Sequence, residues 1–566
     1  MATGRAGFWR RHRWLMWVCS GLLAAFAALT GALLVLAHRA EPLLRARILE
    51  GLENHFHARV ELDSFHLTLR GGLWAEGKGL RIWPPVEIES VNVWGVSAPA
   101  SEVPLIRLAE FRFHAPLRYE PGQPIRLSAV QLKGLEIDVP PRSRFERGAE
   151  GAKATAGQNA NKANIYTGLL HFQVESLECQ GAHLTIETSK PGKLPLEFAI
   201  AHLKLTGIGA GGAMGFEAEL TNPRPVGTIH TKGSFGPWVV KDPGESPVTG
   251  EYRFDHADLS GFKGIAGILS STGHFQGVLR QLVVDGVTDT PDFRLTHFGT
   301  PMPLHTKFHA KVDGINGDTW LEPVEATLGH SHFLTQGQIV RVAPVADGKD
   351  KPRPGGHDIS LTVNVDRGRI EDFLRLASHS GTPLMTGALI MKAELKIPPG
   401  PVPVHERLKL AGTFALDDVH FASEKIQSRI GELSARGLGR PKDAKTGGDA
   451  DVRSTMEGNF QMAGGVVRLP ALKYTVPGAV IDLKGSYGED GGTLDFAGTA
   501  KMQATVSAMV GGWKGLLLKP VDRYFQKNGA GTEVPIHING TRENPKFGID
   551  LGRMKGTSAQ RPGEPQ

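Results

Sequence analysis

The chain has 566 residues, of which 40% are hydrophobic and 22% are charged. This composition excludes a largely disordered protein, and the length allows several ordinary domains. The net charge of +6 is small, and the basic residues are scattered rather than gathered into a stripe with interleaved aromatic residues, so nucleic acid is not expected as a partner. The 71 glycines favour many turns and short strands over long helices.

The N-terminus carries the strongest single signal. Residues 14–37, WLMWVCSGLLAAFAALTGALLVLA, are 24 in a row without a charge, which is long enough to cross a bilayer core of about 30 Å. Four arginines and no acidic residue precede this run. The sequence therefore predicts a cytoplasmic tail at 1–13, a transmembrane anchor at 14–37 and residues 38–566 beyond the membrane. A cleaved signal peptide is the alternative, but its apolar core would be about twice the usual 7–15 residues.

A short helix and a strand are predicted next. Residues 41–56 place apolar side chains at near-helical spacing, which indicates an amphipathic helix. The following stretch, HARVELDSFHLTLR at 57–70, places them at nearly every second position, the period of a strand with one apolar face. The apolar positions are Val60, Leu62, Phe65, Leu67 and Leu69. The alternation slips by one residue between Leu62 and Phe65.

The same alternation is clearest in DISLTVNVD, LIMKAELKIP and RLKLAGTFALDD of the C-terminal half. The residues predicted there to lie on the apolar side of a sheet are Leu361, Val363, Leu389, Met391, Leu408 and Leu410. Their neighbours Thr362, Lys392 and Lys409 are predicted to face water.

The order of these segments gives a plan of the chain. The short helix and first strands occupy 38–141, and 142–164, which is mostly small and polar, is predicted to be a flexible linker or loop. A middle β-region follows at 165–355 and a C-terminal β-region at 356–552. Residues 553–566 are predicted to be a disordered tail.

Helical interruptions in this plan are few. One is RIEDFLRLAS, 369–378, and the other is 504–527, which is broken at Pro520. On a helical wheel the second segment gathers one apolar arc, consisting of Met509, Val510, Trp513, Leu516 and Leu517. The arc fits either a capping helix packed on the end of a sheet or an amphipathic helix that meets lipid.

Strands with one apolar face need a cover, because each would otherwise leave its apolar side chains in water. A sandwich or closed barrel supplies the cover by folding the sheet back on itself. A long curved sheet whose apolar face is filled by lipid tails is the third solution. Periodicity alone does not choose among the three.

The order of parts resembles the AsmA-like family of bacterial envelope proteins, which is related to bridge-like lipid-transfer proteins with an elongated β-groove. The matching stretches are ILEGLENHFHARVELDSFHLTL, GNFQMAGGVVRLPALKYTVPGAVIDLKGSYGEDGGTLDFAGTA and GTRENPKFGIDL, at 48–69, 458–500 and 540–551. The resemblance implies a mainly β fold: an N-terminal transmembrane helix, then a long curved antiparallel sheet forming a β-groove, with a few short capping helices.

The resemblance also implies a location and a role. The protein would sit in the inner membrane of a diderm bacterium with its C-terminal region in the periplasm, and it would bind or conduct phospholipid for outer-membrane biogenesis. A non-transporting scaffold or regulator of outer-membrane protein assembly, acting through envelope protein partners, is the alternative. No catalytic residue and no cofactor carries over, because the family is not known for any.

The residues themselves offer little chemistry. His330 and His332 lie at strand spacing, as do His55 and His57, but neither pair has a third metal ligand nearby. Cys179 fits a small core residue. We therefore predict no catalytic or metal-binding residues, no cofactor and no enzymatic activity.

Overall fold

The structure is a computed structural model of the full chain. It describes residues 59–549 with internal gaps, together with several positions between 41 and 53. The longer gaps are 84–103, 115–124, 140–171, 187–194, 345–354, 377–381 and 446–450. The predicted tail at 1–13, anchor at 14–37, linker at 142–164 and C-terminal tail at 553–566 all lie outside the described residues.

The chain divides into two compact units. Unit 1 comprises residues 1–189, 195–221 and 230–250, and unit 2 comprises 190–194, 222–229 and 251–566. Strands dominate the described part of both units, which confirms the predicted mainly β class with few short helices.

Unit 1 is an open sheet in which most strands pair with their neighbours along the chain. Its strands are β1 (Val60–Glu61), β2 (Ser64–Leu69), β3 (Leu73–Ile82), β4 (Ile106–His114), β5 (Ile125–Val139), β6 (Phe172–Ile186), β7 (Leu196–Ile208), β8 (Met214–Pro223) and β9 (Val226–Phe235), the last two shared with unit 2. Both β1 and β2 pair with β3. The described positions between 41 and 53 are helical, as predicted, and Leu49 and Leu52 pack against Val60 and Ile82.

One strand pair departs from the expected antiparallel sheet. Strands β5 and β6 run parallel, with Leu132 opposite Cys179 and Ile137 opposite Leu184. Parallel neighbours need a long crossover, whereas antiparallel ones need only a tight turn. Residues 140–171, which separate the two strands, are long enough for such a crossover.

The slip seen in the sequence between Leu62 and Phe65 recurs at the same level of the neighbouring strands. In each of these strands, the two apolar-face residues that flank the slip are three positions apart in the sequence instead of two. The pairs are Leu62 and Phe65, Gly77 and Leu80, Leu108 and Phe111, Leu132 and Leu135, Cys179 and Ala182, and Ile200 and Leu203. Gly79, Gly134 and Gly181 lie in the slip with φ of 66°, 64° and 67°, the left-handed region that glycine tolerates best. Because these strands slip together, the face that they share stays apolar across all of them.

Unit 2 is an open antiparallel sheet in which the strands again follow chain order, and its first strand, Pro247–Asp258, is shared with unit 1. They are β10 (Pro247–Asp258), β11 (Ile265–Ala266), β12 (Ile268–Val278), β13 (Gln281–Leu295), β14 (Met302–Val312), β15 (Thr319–Leu328), β16 (Ser331–Val342), β17 (Gly356–Arg369), β18 (Met385–Ile397), β19 (Lys409–Phe421), β20 (Thr455–Ala463), β21 (Val466–Val476), β22 (Ala479–Gly488), β23 (Thr493–Met502), β24 (Thr532–Thr541) and β25 (Pro545–Ile549). Most have 9 to 15 residues, so the expectation of short strands was wrong.

Many of the glycines lie inside these long strands rather than in turns. A side chain at Gly77 would overlap the ring of Phe111, and one at Gly485 would overlap Phe496. Glycine therefore makes room for an aromatic ring of the next strand to lie across the backbone. This use of glycine explains part of its excess, which the sequence had suggested was due to turns.

The described helices of unit 2 are short and lie between strands. They are α1 (Ile370–Leu376), α2 (Val404–Arg407), α3 (Glu424–Gly437), α4 (Pro441–Lys445), α5 (Val506–Val510) and α6 (Asp522–Phe525). Helices α1 and α3 pack on the apolar face at one end of the strands. Ile370 and Phe373 of α1 contact a core formed by Val365, Leu389, Leu416 and Val419. Ile430 of α3 belongs to a second core with Val452, Tyr474, Val476 and Ala479.

Candidate functional site

The most extensive feature of unit 2 is a row of apolar residues that crosses the sheet. Directly opposed residues on neighbouring strands share a face, so the strand registers define this row. From β12 to β24 its members are Phe275, Val284, Ala310, Leu321, Gly337, Leu361, Leu395, Leu410, Met462, Val467, Tyr487, Leu494 and Gly540, and we call it the apolar row. Thirteen strands at a spacing of about 4.8 Å make it on the order of 60 Å long.

The apolar row is only partly covered by the protein itself. Apart from Ala310, which is 2% exposed, its members are half-buried. None of them belongs to the two buried cores that the described residues of unit 2 form beneath α1 and α3. The second layer that one-faced strands need is therefore present only where α1 and α3 pack, at one end of the strands. The apolar row lies outside this covered region.

The predicted C-terminal residues divide between these two surroundings. Leu361 and Leu410 are members of the apolar row. Leu389 is 2% exposed in the core beneath α1, and Val363 and Met391 pack against the same core. The strands alternate as predicted, since Thr362, Lys392 and Lys409 are exposed on the opposite face. Leu408 is half-buried but lies just before β19, where it ends α2.

The predicted residues of the first strands belong to the core of unit 1. Val60, Leu62 and Phe65 are 6%, 5% and 3% exposed. Leu67 packs beside Phe65, and Leu49 from the N-terminal helical segment covers this cluster. Leu69 is the last residue of β2, and its side chain lies outside the described part of the chain.

The segment at 504–527 differs from the single helix that the helical wheel assumed. Helix α5 ends at Val510 because Gly511 follows with φ of 64°. Asp522 at the start of α6 accepts hydrogen bonds from the backbone and hydroxyl of Ser507, at 2.9 and 2.7 Å, which ties the two helices together and lowers the pKa of that carboxyl. Pro520 lies in a 3-10 turn, Lys519–Val521. The break therefore comes earlier than predicted, at the glycine.

The apolar arc of that segment is partly exposed. Val510 is 39% exposed and Leu517 is 68% exposed, while Met509 is half-buried. Trp513 and Leu516 lie outside the described residues.

Three strands carry hydroxyl groups on the apolar face, which sequence reasoning missed. Ser271, Thr288 and Thr306 oppose one another on β12, β13 and β14. The same row continues as Ala326, Phe333, Val365, Met391 and Phe414 on later strands. The hydroxyl of Tyr252, on β10, lies 3.1 Å from that of Ser271. Only the strand registers bring these polar residues together, so no local signal in the sequence marks them.

The opposite face of both sheets is charged and pairs its charges across strands. Lys78 lies 3.0 Å from Glu110 and lowers the pKa of that carboxyl. Lys473 of β21 likewise lies 3.0 Å from Glu457 of β20. Such exposed ion pairs add little to the stability of the fold. They keep this face in contact with water, and the apolar residues lie on the opposite face of the sheet.

The two described histidines that were considered as metal ligands, His330 and His332, have different partners. His330 is 84% exposed in a turn, and its backbone N–H donates to Asp372, whereas the ring of His332 bonds to the hydroxyl of Thr327 at 3.0 Å. Within the described ranges, no three His, Cys, Asp or Glu side chains gather in a way that could hold a metal ion. His55 and His57 fall in a gap. Cys179 is 2% exposed in an apolar cluster, as predicted, and burial raises the pKa of its thiol.

Comparisons of this chain with protein-family models, with characterised proteins and with solved structures found no significant match.

Proposed function

We propose that this protein binds the acyl chains of phospholipids along the apolar row, and that it conducts or carries phospholipid for outer-membrane biogenesis. The observation that supports this most directly is the row itself: a strip of the order of 60 Å of half-buried apolar side chains, uninterrupted by charge. An apolar strip of this length that the protein covers only in part is unusual for a soluble protein and typically marks a binding surface.

The chemistry of the row suits a chain that slides rather than one that is locked in place. Each methylene moved from water to an apolar surface contributes about 0.8 kcal/mol, so a sixteen-carbon chain gains on the order of 10 kcal/mol when fully covered. Leu361, Leu395 and Leu410 offer nearly equivalent contacts on successive strands. A chain that moves by one strand exchanges like contacts for like, so transport along the row is passive.

The proposal includes a location. The uncharged run at 14–37 would anchor the protein in the inner membrane, with the two units in the periplasm of a diderm bacterium. The resemblance to AsmA-like proteins supports this arrangement. Envelope proteins are expected partners where lipid enters or leaves the sheet.

The decisive experiment compares charges placed on the two faces of one strand. We expect Leu361→Glu and Leu410→Glu to lose most of the phospholipid that co-purifies with the full-length protein in mild detergent, because a carboxylate would lie among acyl chains without a partner. Thr362→Glu and Lys409→Glu, one residue away on the charged face, should keep it. Bound lipid is quantified by mass spectrometry of an organic extract, and circular dichroism verifies folding.

The result also separates the two candidate functions. Wild-type protein without phospholipid, but with a detergent-resistant protein partner, would favour the scaffold in outer-membrane protein assembly. Folded Leu361→Glu protein that retains its lipid and supports outer-membrane integrity would contradict a conducting role for the apolar row.

A further inference from the structure

We propose that Tyr252, Ser271, Thr288 and Thr306, which we call the hydroxyl cluster, form a subsite for the ester carbonyl oxygens of a lipid whose acyl chains lie along the apolar row. This inference rests on the proposed function. It adds a defined binding position to a surface along which the acyl chains otherwise slide.

The hydrogen bonds of the cluster leave one hydroxyl hydrogen uncommitted. Ser271 donates to the carbonyl of Val287 at 3.0 Å, so Tyr252 donates to the oxygen of Ser271. Thr288 and Thr306 lie 2.7 Å apart, and one hydrogen suffices for that bond. The bond between Thr288 and Thr306 uses one of their two hydroxyl hydrogens and leaves the other to bond a ligand. A hydroxyl donates readily to a carbonyl oxygen, which offers two lone pairs.

The position of the cluster matches the shape of a phospholipid. Ser271 precedes Phe275 of the apolar row by four residues on β12, which places the two about 13 Å apart along the strand. Gly273 and Gly286 form the row between them, and the ring of Tyr252 lies across these glycines. A lipid whose ester carbonyls lie at the hydroxyls would therefore span this distance with the first part of its acyl chains, which would run along β12 before they meet the apolar row.

The residues around the hydroxyl cluster argue against a purely structural role for its hydroxyl groups. Cross-strand hydroxyl pairs can stabilise a sheet by a fraction of a kcal/mol. On an apolar face, however, valine has the shape of threonine without a polar atom to satisfy, and the later strands fill the same row with Phe333 and Val365.

The test replaces the ester carbonyls of the ligand and the hydroxyls of the protein in turn. Full-length protein is incubated with vesicles containing equal amounts of dipalmitoyl phosphatidylcholine and its dihexadecyl ether analogue, which lacks both carbonyls. The protein is then re-isolated, and the ratio of the two bound lipids is measured by mass spectrometry. We expect a several-fold enrichment of the ester lipid on the wild type, and a ratio near one on the Thr288→Val, Thr306→Val double variant.

Thr413→Val, on the exposed face of β19, serves as the matched control and should keep the wild-type ratio. Total bound lipid should change little in either variant, because the apolar row is intact. A wild-type ratio near one, or an unchanged ratio in a folded double variant, overturns the subsite while leaving lipid binding in place. If the wild type binds neither lipid, the proposed function fails and the subsite with it.

Discussion

At the scale of single residues, the most informative buried group outside the apolar row is Asp372 of α1. Its side chain is fully buried, and one carboxylate oxygen accepts hydrogen bonds from the backbone of His330 at 3.0 Å and from the hydroxyl of Ser331 at 2.7 Å. These bonds tie α1 to the turn between β15 and β16. Since α1 covers one of the two cores of unit 2, a single carboxylate helps to hold that cover in place.

Replacing this carboxylate is expected to destabilise the protein. Asp372→Ala removes the acceptor of the half-buried backbone N–H of His330 and the shorter of the two hydrogen bonds of the buried Ser331 hydroxyl, which also lies 3.3 Å from the carbonyl of Arg369, and this should cost about 1–3 kcal/mol in the free energy of unfolding. Asp366→Ala is the matched control, because Asp366 is a 61% exposed carboxylate on the neighbouring strand β17 and should change stability by less than about 0.5 kcal/mol. Urea unfolding followed by circular dichroism measures both, and equal losses in the two variants would contradict the role assigned to Asp372.

At the scale of strands and helices, the stacked slip of unit 1 sets the direction of the apolar face. Gly181 has φ of 67°, and a side chain built there meets nothing within 4 Å. A substitution at this position therefore tests the backbone conformation alone, without a steric clash.

Gly181→Ala should lower the free energy of unfolding by about 1–2 kcal/mol, since an L-residue pays this much in the left-handed region. Gly212→Ala provides the comparison, because its side chain also meets nothing within 4 Å but its backbone is not left-handed. At Gly212, alanine lowers the conformational entropy of the unfolded chain, so the free energy of unfolding should stay unchanged or rise slightly. Thermal unfolding of the two proteins under the same conditions distinguishes them, and a Gly181→Ala variant as stable as the wild type would show that the slip does not need glycine at this position.

The sequence predicted those parts of the fold that depend on local periodicity. The alternation around Leu361 and Leu410, and the slip after Leu62, can be read directly from neighbouring residues, and the structure shows both. Pairings between distant strands leave no such trace. The parallel β5–β6 pair and the hydroxyl cluster were missed for this reason, since Ser271 and Thr306 come together only through the register of three strands.

Periodicity also could not predict which part of the apolar face the helices cover. Leu389 and Leu361 look alike in their strands, yet Leu389 lies in the core beneath α1 and Leu361 in the apolar row. The difference arises from where α1 packs, which depends on tertiary contacts. The early end of α5 had a local cause at Gly511, but a helical wheel assigns every residue the same turn and conceals such a break.

At the scale of the whole molecule, the two units share one plan although they differ in detail. Each has a charged face that pairs its ions across strands and an apolar face that short helical segments cover only in part. In unit 1 the first strands are covered by Leu49 and Leu52. Among the described residues no helix is long and apolar enough to cross a bilayer, and the predicted anchor lies outside them.

The final prediction concerns how the whole chain is placed in the cell. If 14–37 is a transmembrane anchor, the full-length protein should fractionate with the inner membrane, and protease should reach residues 38–566 only after the outer membrane is permeabilised. Phe26→Arg puts a charge near the centre of the run, at a cost of about 2.5–3.5 kcal/mol for insertion, and should release much of the protein from the membrane. Arg45→Lys keeps the charge beyond the run and should leave fractionation unchanged. A mature protein that begins at His38 would instead identify the run as a cleaved signal peptide, and lipid would then have to reach the apolar row of a protein without its own anchor.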